Sequence, residues 1–262
     1  MPDPIFLESA YAQYTAALET QKLGRRFVLL DEVDSTNAYI RRAADDQAVQ
    51  GLAVAALRQS AGRGRLGRSW ASDGGGLYFS FAALTPPAML PRLPLAAAVA
   101  VIMAFDELGV CGACIKWPND ILVSGKKLVG ILCQSWGERV AAGIGVNIAQ
   151  HARDFAAAGL PNAASLAMLG IEADPWRLMA RILTYAERCM ALAQKDMTAF
   201  LDAYRRRCVS LGRALVASGA RGELHGVGVD IDEEGRLLLQ TPEGLIAVSS
   251  GEVKLRGTAG YI

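Results

Sequence analysis

Apolar positions recur at helical spacing over residues 7–23, and Gly24 stands where a helix C-cap is expected. Residues 27–33 then read as a strand. Asp34-Ser35-Thr36-Asn37 offers side-chain oxygens suited to an N-cap, opening a short helix that ends near Ala44. Residues 52–57 are continuously apolar, the pattern of a buried strand. A loop rich in Gly and Arg follows, then a strand around residues 77–81, then a proline-punctuated connection into an Ala-rich helix over residues 95–108. Between residues 115 and 148 the pattern turns to strands, separated at Pro118-Asn119-Asp120, Ser124-Gly125 and Gly137-Glu138. Asp174-Pro175 predicts a second helical region, an N-cap followed by Pro at the first helical position. Its stripe of Trp176, Met179, Leu183 and Met190 belongs to the core. Beyond Gly212 short strands at 214–217, 224–231, 237–240 and 245–248 alternate with Gly-containing turns. They predict a small barrel, dividing the chain into domains at residues 1–211 and 212–262.

Composition removes several classes. The 262 residues are 52% hydrophobic and 20% charged, which excludes a mainly disordered chain and allows one large domain plus a small one. The longest apolar run, residues 95–105, is well short of the roughly 20 residues of a membrane helix, so it reads as core and no membrane is expected. The 27 basic and 26 acidic residues leave a formal net charge of +1, without the bias of a protein that lives on DNA or an anionic surface. Acids in the N-terminal MPDPIFLESA, where an export signal needs a basic start, predict a cytoplasmic protein. Five Cys then read as free thiols, and Cys111-Gly-Ala-Cys114 is half a zinc site with no second pair at a useful distance.

Three segments carry chemistry. In Gly62-Arg63-Gly64-Arg65-Leu66-Gly67-Arg68-Ser69-Trp70, preceded by Gln59, glycines leave the backbone free to wrap a ligand and arginines supply fixed positive charge. Guanidinium groups take carboxylate or phosphate oxygens in pairs. The motif is neither a P-loop nor a dinucleotide fingerprint. A solvated basic loop or an RNA-binding patch would also account for it. With three glycines among six residues, 62–67 are expected to gain order only on ligand binding. Second, Lys116-Trp117-Pro118-Asn119-Asp120-Ile121 is followed by Lys126-Lys127. A plain hairpin turn explains Pro, Asn and Asp, but not lysines at both ends. Paired as a hairpin, Lys116, Lys127 and Asp120 would face one pocket, and Asp120 suits Mg²⁺ shared with phosphates. Third, the hydroxyls of Asp34-Ser35-Thr36-Asn37 cap a helix or hold a polar ring. His151 and His225 fit no nucleophilic triad.

Together these segments resemble the biotin protein ligase family over roughly residues 28–256. The resemblance implies an α+β fold, a mixed sheet with helices on one side in the manner of class II synthetases, plus a small C-terminal SH3-like barrel. It implies that Ser35, Thr36, Asn37, Gln59, Arg63, Gly64, Arg65, Lys127 and Gly130 hold biotin. Arg63, Arg65, Trp70, Lys116, Asn119, Asp120, Lys127, Asn147 and Arg256 would face ATP, Asp120 would bind Mg²⁺, and Lys127, Arg63 and Arg65 would promote the chemistry. The implied reaction makes biotinyl-5′-AMP from biotin and ATP, then passes biotin to a lysine of a biotin carboxyl carrier protein. About thirty residues precede Asp34, too few for the DNA-binding domain of regulatory members, so no DNA partner is expected; a homodimer is left open. Alternatives are a lipoate-type ligase, a non-catalytic biotin- or nucleotide-binding regulator, and an RNA-binding module.

Overall fold

Seven strands form the principal sheet: β1 (Arg26–Val33), β2 (Leu52–Gln59), β3 (Gly76–Leu84), β4 (Cys114–Lys116), β5 (Asp120–Val123), β6 (Lys126–Trp136) and β7 (Arg139–Asn147). Their spatial order is β1-β2-β3-β7-β6-β5-β4. The computed structural model describes residues 1–43, 49–219, 222–249 and 253–257. Within this sheet only β1 and β2 run parallel. A parallel pair needs a crossover, and α2 (Thr36–Ala43) lies in it. The helix end expected near Ala44 lies outside the described residues.

Four helices pack on one face: α1 (Glu8–Ala17), α3 (Leu93–Glu107), α5 (Pro175–Lys195) and α6 (Met197–Arg205). Leu29, Ala55, Phe79 and Phe81 meet them in the main core. Alternate residues of the same strands, Leu30, Val54, Ala56 and Ala82, pack instead against Tyr39 and Ile40 of α2. Helices were expected on one side only; α2 covers the other. This two-sided burial is why residues 52–57 carry no polar alternation. The apolar stretch Pro87–Glu107 is long enough to cross a membrane by length and composition, yet it is mostly buried. It is a core helix with its lead-in.

Local boundaries differ in two places. The helix expected over residues 7–23 stops at Ala17. The chain beyond it is bound to α5: Thr184 Oγ1 accepts from the Glu19 N–H, and Glu187 accepts from those of Gln21, Lys22 and Leu23. Those donors cannot also serve a helix, and Gly24 turns the chain into β1 rather than capping it. Two helices escaped the pattern, α4 (Ala152–Ala157) and α6, the latter capped by Asp196. As expected, Asp174 caps α5 through the N–H groups of Trp176 and Arg177.

The C-terminal sheet holds β8 (Ala214–Gly219), β9 (Gly222–Ile231), β10 (Leu237–Thr241), β11 (Gly244–Val248) and β12 (Val253–Gly257), all antiparallel, in the order β11-β10-β9-β8-β12. The last strand was not among those read from the pattern. Leu215, Ile231, Leu237 and Leu239 join the main core, so apolar packing runs across the 211/212 division. All five cysteines are free, and among the described residues no three His, Cys, Asp or Glu cluster as metal ligands.

Candidate active site

A cavity of about 670 Å³ opens over the middle of the large sheet, within the usual size for a small-molecule site. Ser35, Thr36 and Asn37 line it from the start of α2, Gln59 from the end of β2, Gly130 from β6 and Asn147 from β7. The Gly-Arg loop contributes Arg63, Gly64, Arg65 and Trp70; Asn119, Lys127 and, from the C-terminal sheet, Arg256 complete this set. Of the residues expected from sequence, only Lys116 and Asp120 do not line the cavity. Residues within 149–163 form a further wall that no motif announced.

One end is a polar chain. Gln59 Oε1 accepts from the Thr36 N–H at 2.9 Å, while its Nε2 donates to Ser72 Oγ at 2.9 Å. The hydroxyls of Thr36 and Ser80 lie 2.7 Å apart, and Ser80 donates to Asn37 Oδ1 at 2.7 Å. Asn37 Nδ2 then donates to Leu132 O and Gln134 Oε1. Each group is oriented by its neighbour, as a preformed recognition surface requires. Ser80, Ser72 and Gln134 were missed. Ser80 left a signal: it is the one hydroxyl residue in GLYFSFAAL besides Tyr78, and it is 0% exposed. Gly143 belongs to this end too, because a Cβ there would lie 2.6 Å from Asn37 Oδ1.

The Gly-Arg loop is bonded across itself. Arg63 bridges Ser69, the Gly64 N–H donates to Arg68 O at 2.7 Å, and the Trp70 N–H donates to Gly62 O at 2.9 Å. These cross-loop bonds make a tight hairpin, and Arg65 Nη1 ties it to Asn119 Oδ1 at 3.0 Å. Asn119 is fixed in turn by giving Nδ2 to Ile131 O. The Trp70 indole lies against the sheet where Gly130 and Gly145 present no side chain; a Cβ on either would lie within 2.6 Å of it. Trp70 Nε1 is buried there without a hydrogen-bond partner.

The other end is cationic. Lys127 Nζ pairs with Asp120 Oδ1 at 2.7 Å and sits 5.2 Å from the Trp70 ring centroid. Lys116 is directly across from Asp120 in the β4–β5 pairing, so the hairpin forms, but of the three charged groups expected to face one pocket only Lys127 lines the cavity. Lys116 is 5% exposed, and burial lowers its pKa to about 8 against the raising influence of Asp120. Burial also draws the Arg65 pKa down, with Asp120 opposing. Asn147 braces this end, donating to Ala164 O at 3.0 Å and Lys127 O at 3.4 Å. Backbone bonds from Lys127 N–H to Asn162 O and from Ala164 N–H to Lys127 O hold the lysine against the 149–163 wall.

A hydrogen-bonding end joined to a cationic end suits a molecule with a polar head and an anionic tail, placed beside a phosphate. Asp120 is the nearby carboxylate on which Mg²⁺ would depend. Asp73 and Asp154 line the cavity while Asp120, paired with Lys127, lies outside the lining; with no three such ligands clustered among the described residues, the site fits Mg²⁺ shared with phosphate oxygens and water, not a protein-only cage.

The chain is similar to known proteins in sequence and in fold. Residues 29–150 match the Biotin/lipoate A/B protein ligase family, and residues 213–256 match the Biotin protein ligase C terminal domain. The chain is 34% identical over 249 residues to the bifunctional ligase/repressor BirA of Bacillus subtilis, covering 91% of this chain and 76% of that one. It is 33% identical to the biotin–[acetyl-CoA-carboxylase] ligase of Paracoccus denitrificans, covering 87% of this chain and 100% of that one. Its fold is similar to that of the Aquifex aeolicus biotin protein ligase in complex with biotin and ATP: TM-score 0.78, 30% identity, 89% of this chain and 100% of that one.

Proposed function

Because the chain belongs to the biotin/lipoate A/B protein ligase family, we propose that it is a biotin–protein ligase, activating biotin with ATP and transferring it to a lysine of a biotin carboxyl carrier protein. The carrying observation is the cavity that joins the Gln59–Thr36–Ser80–Asn37 chain to Lys127 and the Gly-Arg loop. The polar chain offers both donors and acceptors, which matches a cyclic urea. The cationic end takes the carboxylate and the α-phosphate.

In the first step a carboxylate oxygen attacks the α-phosphorus and pyrophosphate leaves. Two anions must approach, so Lys127, Arg63 and Arg65 lower the barrier by stabilising and aligning charge, without a protein nucleophile. Mg²⁺ held through Asp120 and the triphosphate would neutralise charge on the departing group. Trp70 and Asn147 shape the nucleotide side, with Arg256 reaching in from β12. In the second step the lysine amine attacks the acyl carbon, an amide forms and AMP leaves. The Gly-Arg hairpin, latched by Arg65 to Asn119, shields the mixed anhydride from water. The reading places the reaction in the cytoplasm, with residues 1–211 as the catalytic biotin- and ATP-binding domain and 212–262 as the small C-terminal domain.

The test is mass spectrometry of a recombinant carrier domain after incubation with this chain, biotin, ATP and Mg²⁺. A mass gain of one biotinyl group on the acceptor lysine, dependent on ATP, is expected. No gain with biotin, or a gain only when lipoate replaces it, would overturn the assignment.

A further inference from the structure

Trp117 lies between Lys116 and the Asn119–Asp120 pair, yet it is not among the residues that line the cavity. Its indole is 2% exposed, and Nε1 donates to Gly235 O at 3.0 Å across 118 sequence positions. Its backbone N–H donates to Ser210 Oγ at 3.1 Å. Gly235 sits in the turn between β9 and β10, so the C-terminal sheet grips the segment that carries Lys116, Asn119 and Asp120.

That turn is a firm anchor. The Gly235 N–H donates to Asp232 O, the Asp232 N–H donates to Arg236 O, and the Arg236 guanidinium pairs with Asp232 at 2.7 Å. Arg92 Nε reaches Glu233 O at 2.6 Å from the start of α3. Gly235 has φ +76°, and a Cβ there would lie 3.2 Å from Pro91 O. Only a residue without a side chain lets the turn seat this closely.

We propose that Trp117 is a positioning residue: the β9–β10 turn holds its indole, and through it the C-terminal sheet sets the cationic end of the cavity independently of the polar chain that faces the ureido head. The polar chain from Gln59 to Gln134 is built on β1–α2, β2, β3 and β6 and receives nothing from Trp117. Asn119 and Asp120, by contrast, are two and three residues from the indole, and they carry the Arg65 latch and the Lys127 pair. A small rotation of the indole therefore acts first on the charged groups of the cationic end. The inference rests on the biotin ligase reading.

The experiment uses the full chain as Trp117→Phe, Gly235→Ala and the double variant. Affinity for biotin methyl ester, which keeps the ureido head and lacks the carboxylate, is measured by calorimetry, and the KM for ATP by biotin-dependent pyrophosphate exchange. Trp117→Phe keeps the ring but removes the donor; Gly235→Ala displaces the acceptor. Each single variant is expected to raise the ATP KM about fivefold or more while affinity for the methyl ester stays within about twofold, the loss of one buried hydrogen bond. Since both act on one contact, the double variant should be no worse than the worse single. Equal losses for both ligands, an unchanged ATP KM, or multiplicative effects would overturn the proposal. Should Trp117→Phe fail to unfold cooperatively, Gly235→Ala and Arg92→Ala decide by the same split. Absence of exchange in the unaltered chain would bring down the ligase reading and this inference together; normal ATP KM in variants of an active chain brings down this one alone.

Discussion

Lys127 and Ser80 do different work within one cavity, and substitutions at each should separate them. Lys127 stands between the Asp120 carboxylate and the Trp70 face, its side chain 23% exposed. A partly solvated pair contributes little to folding. Opposing a developing negative charge in a closed site is worth far more. Lys127→Ala should cut the rate of biotinyl-AMP formation about 10²–10³-fold, with a small change in thermal midpoint; a normal single-turnover rate would refute the role. Ser80 is fully buried between Thr36 and Asn37, so Ser80→Ala leaves Asn37 Oδ1 short of its donor. The expected loss is about 1–2 kcal/mol of biotin affinity, with the ATP KM unaltered. Calorimetry with each substrate reads this directly.

At the scale of elements, the Gly-Arg hairpin is held by its own backbone bonds and a side-chain latch, Arg65 to Asn119. Arg65→Gly removes the latch and adds flexibility, while Lys127 and Asp120 remain to form the adenylate. Shorter retention of biotinyl-AMP and biotin on exposed lysines of a bystander such as albumin should follow. Unchanged retention would show that the hairpin is not a lid. The segment joining α1 to β1 tests a different kind of contact. Burial disfavours the Glu187 charge, but N–H donors from Gln21, Leu23 and Lys22 outweigh it and hold the pKa below its usual value. A carboxyl depressed on folding adds stability above its unfolded pKa, and that stability is lost as pH falls through the folded pKa. Glu187→Gln should therefore cost about 1 kcal/mol at neutral pH and flatten the acid side of the stability profile below about pH 4.5. A thermal-midpoint series from about pH 3 to about pH 7 would show an unchanged acid limb if the contact is incidental.

For the molecule as a whole, the question is what the C-terminal sheet adds. Its apolar residues join the main core, and Arg256 lines the cavity from β12, paired there with Val216 of β8. Arg256→Ala should raise the ATP KM about tenfold or more, as loss of a charge-assisted contact worth about 1.5–3 kcal/mol requires, and leave biotin affinity alone. Equal weakening of both substrates would instead make the sheet a general scaffold. The shared core also bears on truncation. Removing residues after Gly212 would strip Leu215, Ile231, Leu237 and Leu239 from that core and expose the apolar side chains they cover. Loss of solubility is therefore expected before any loss specific to biotin.

The sequence by itself determined the elements whose pattern is local. Strands 115–148 with their three turns, the Asp174-Pro175 start of α5 and the Gly-Arg loop all follow from side chains acting within a few residues of one another. It also determined a third of the cavity lining, because GRGRLGRSW puts unusual residue types in a short run, whereas KWPND supplies only Asn119 to it. Tertiary structure decided the remainder, for reasons no local pattern carries. Residues 18–24 leave the helix because Glu187 and Thr184, more than 160 positions away, take their N–H groups. Ser80 and Gln134 enter the site because antiparallel pairing brings β3, β7 and β6 together under Asn37. The helix α2 lies on the opposite face because two-sided burial of β1 and β2 needs a second apolar partner. Hydrogen bonds and burial between distant segments leave only single polar or apolar letters in the sequence, and only the folded chain shows which of those letters meet.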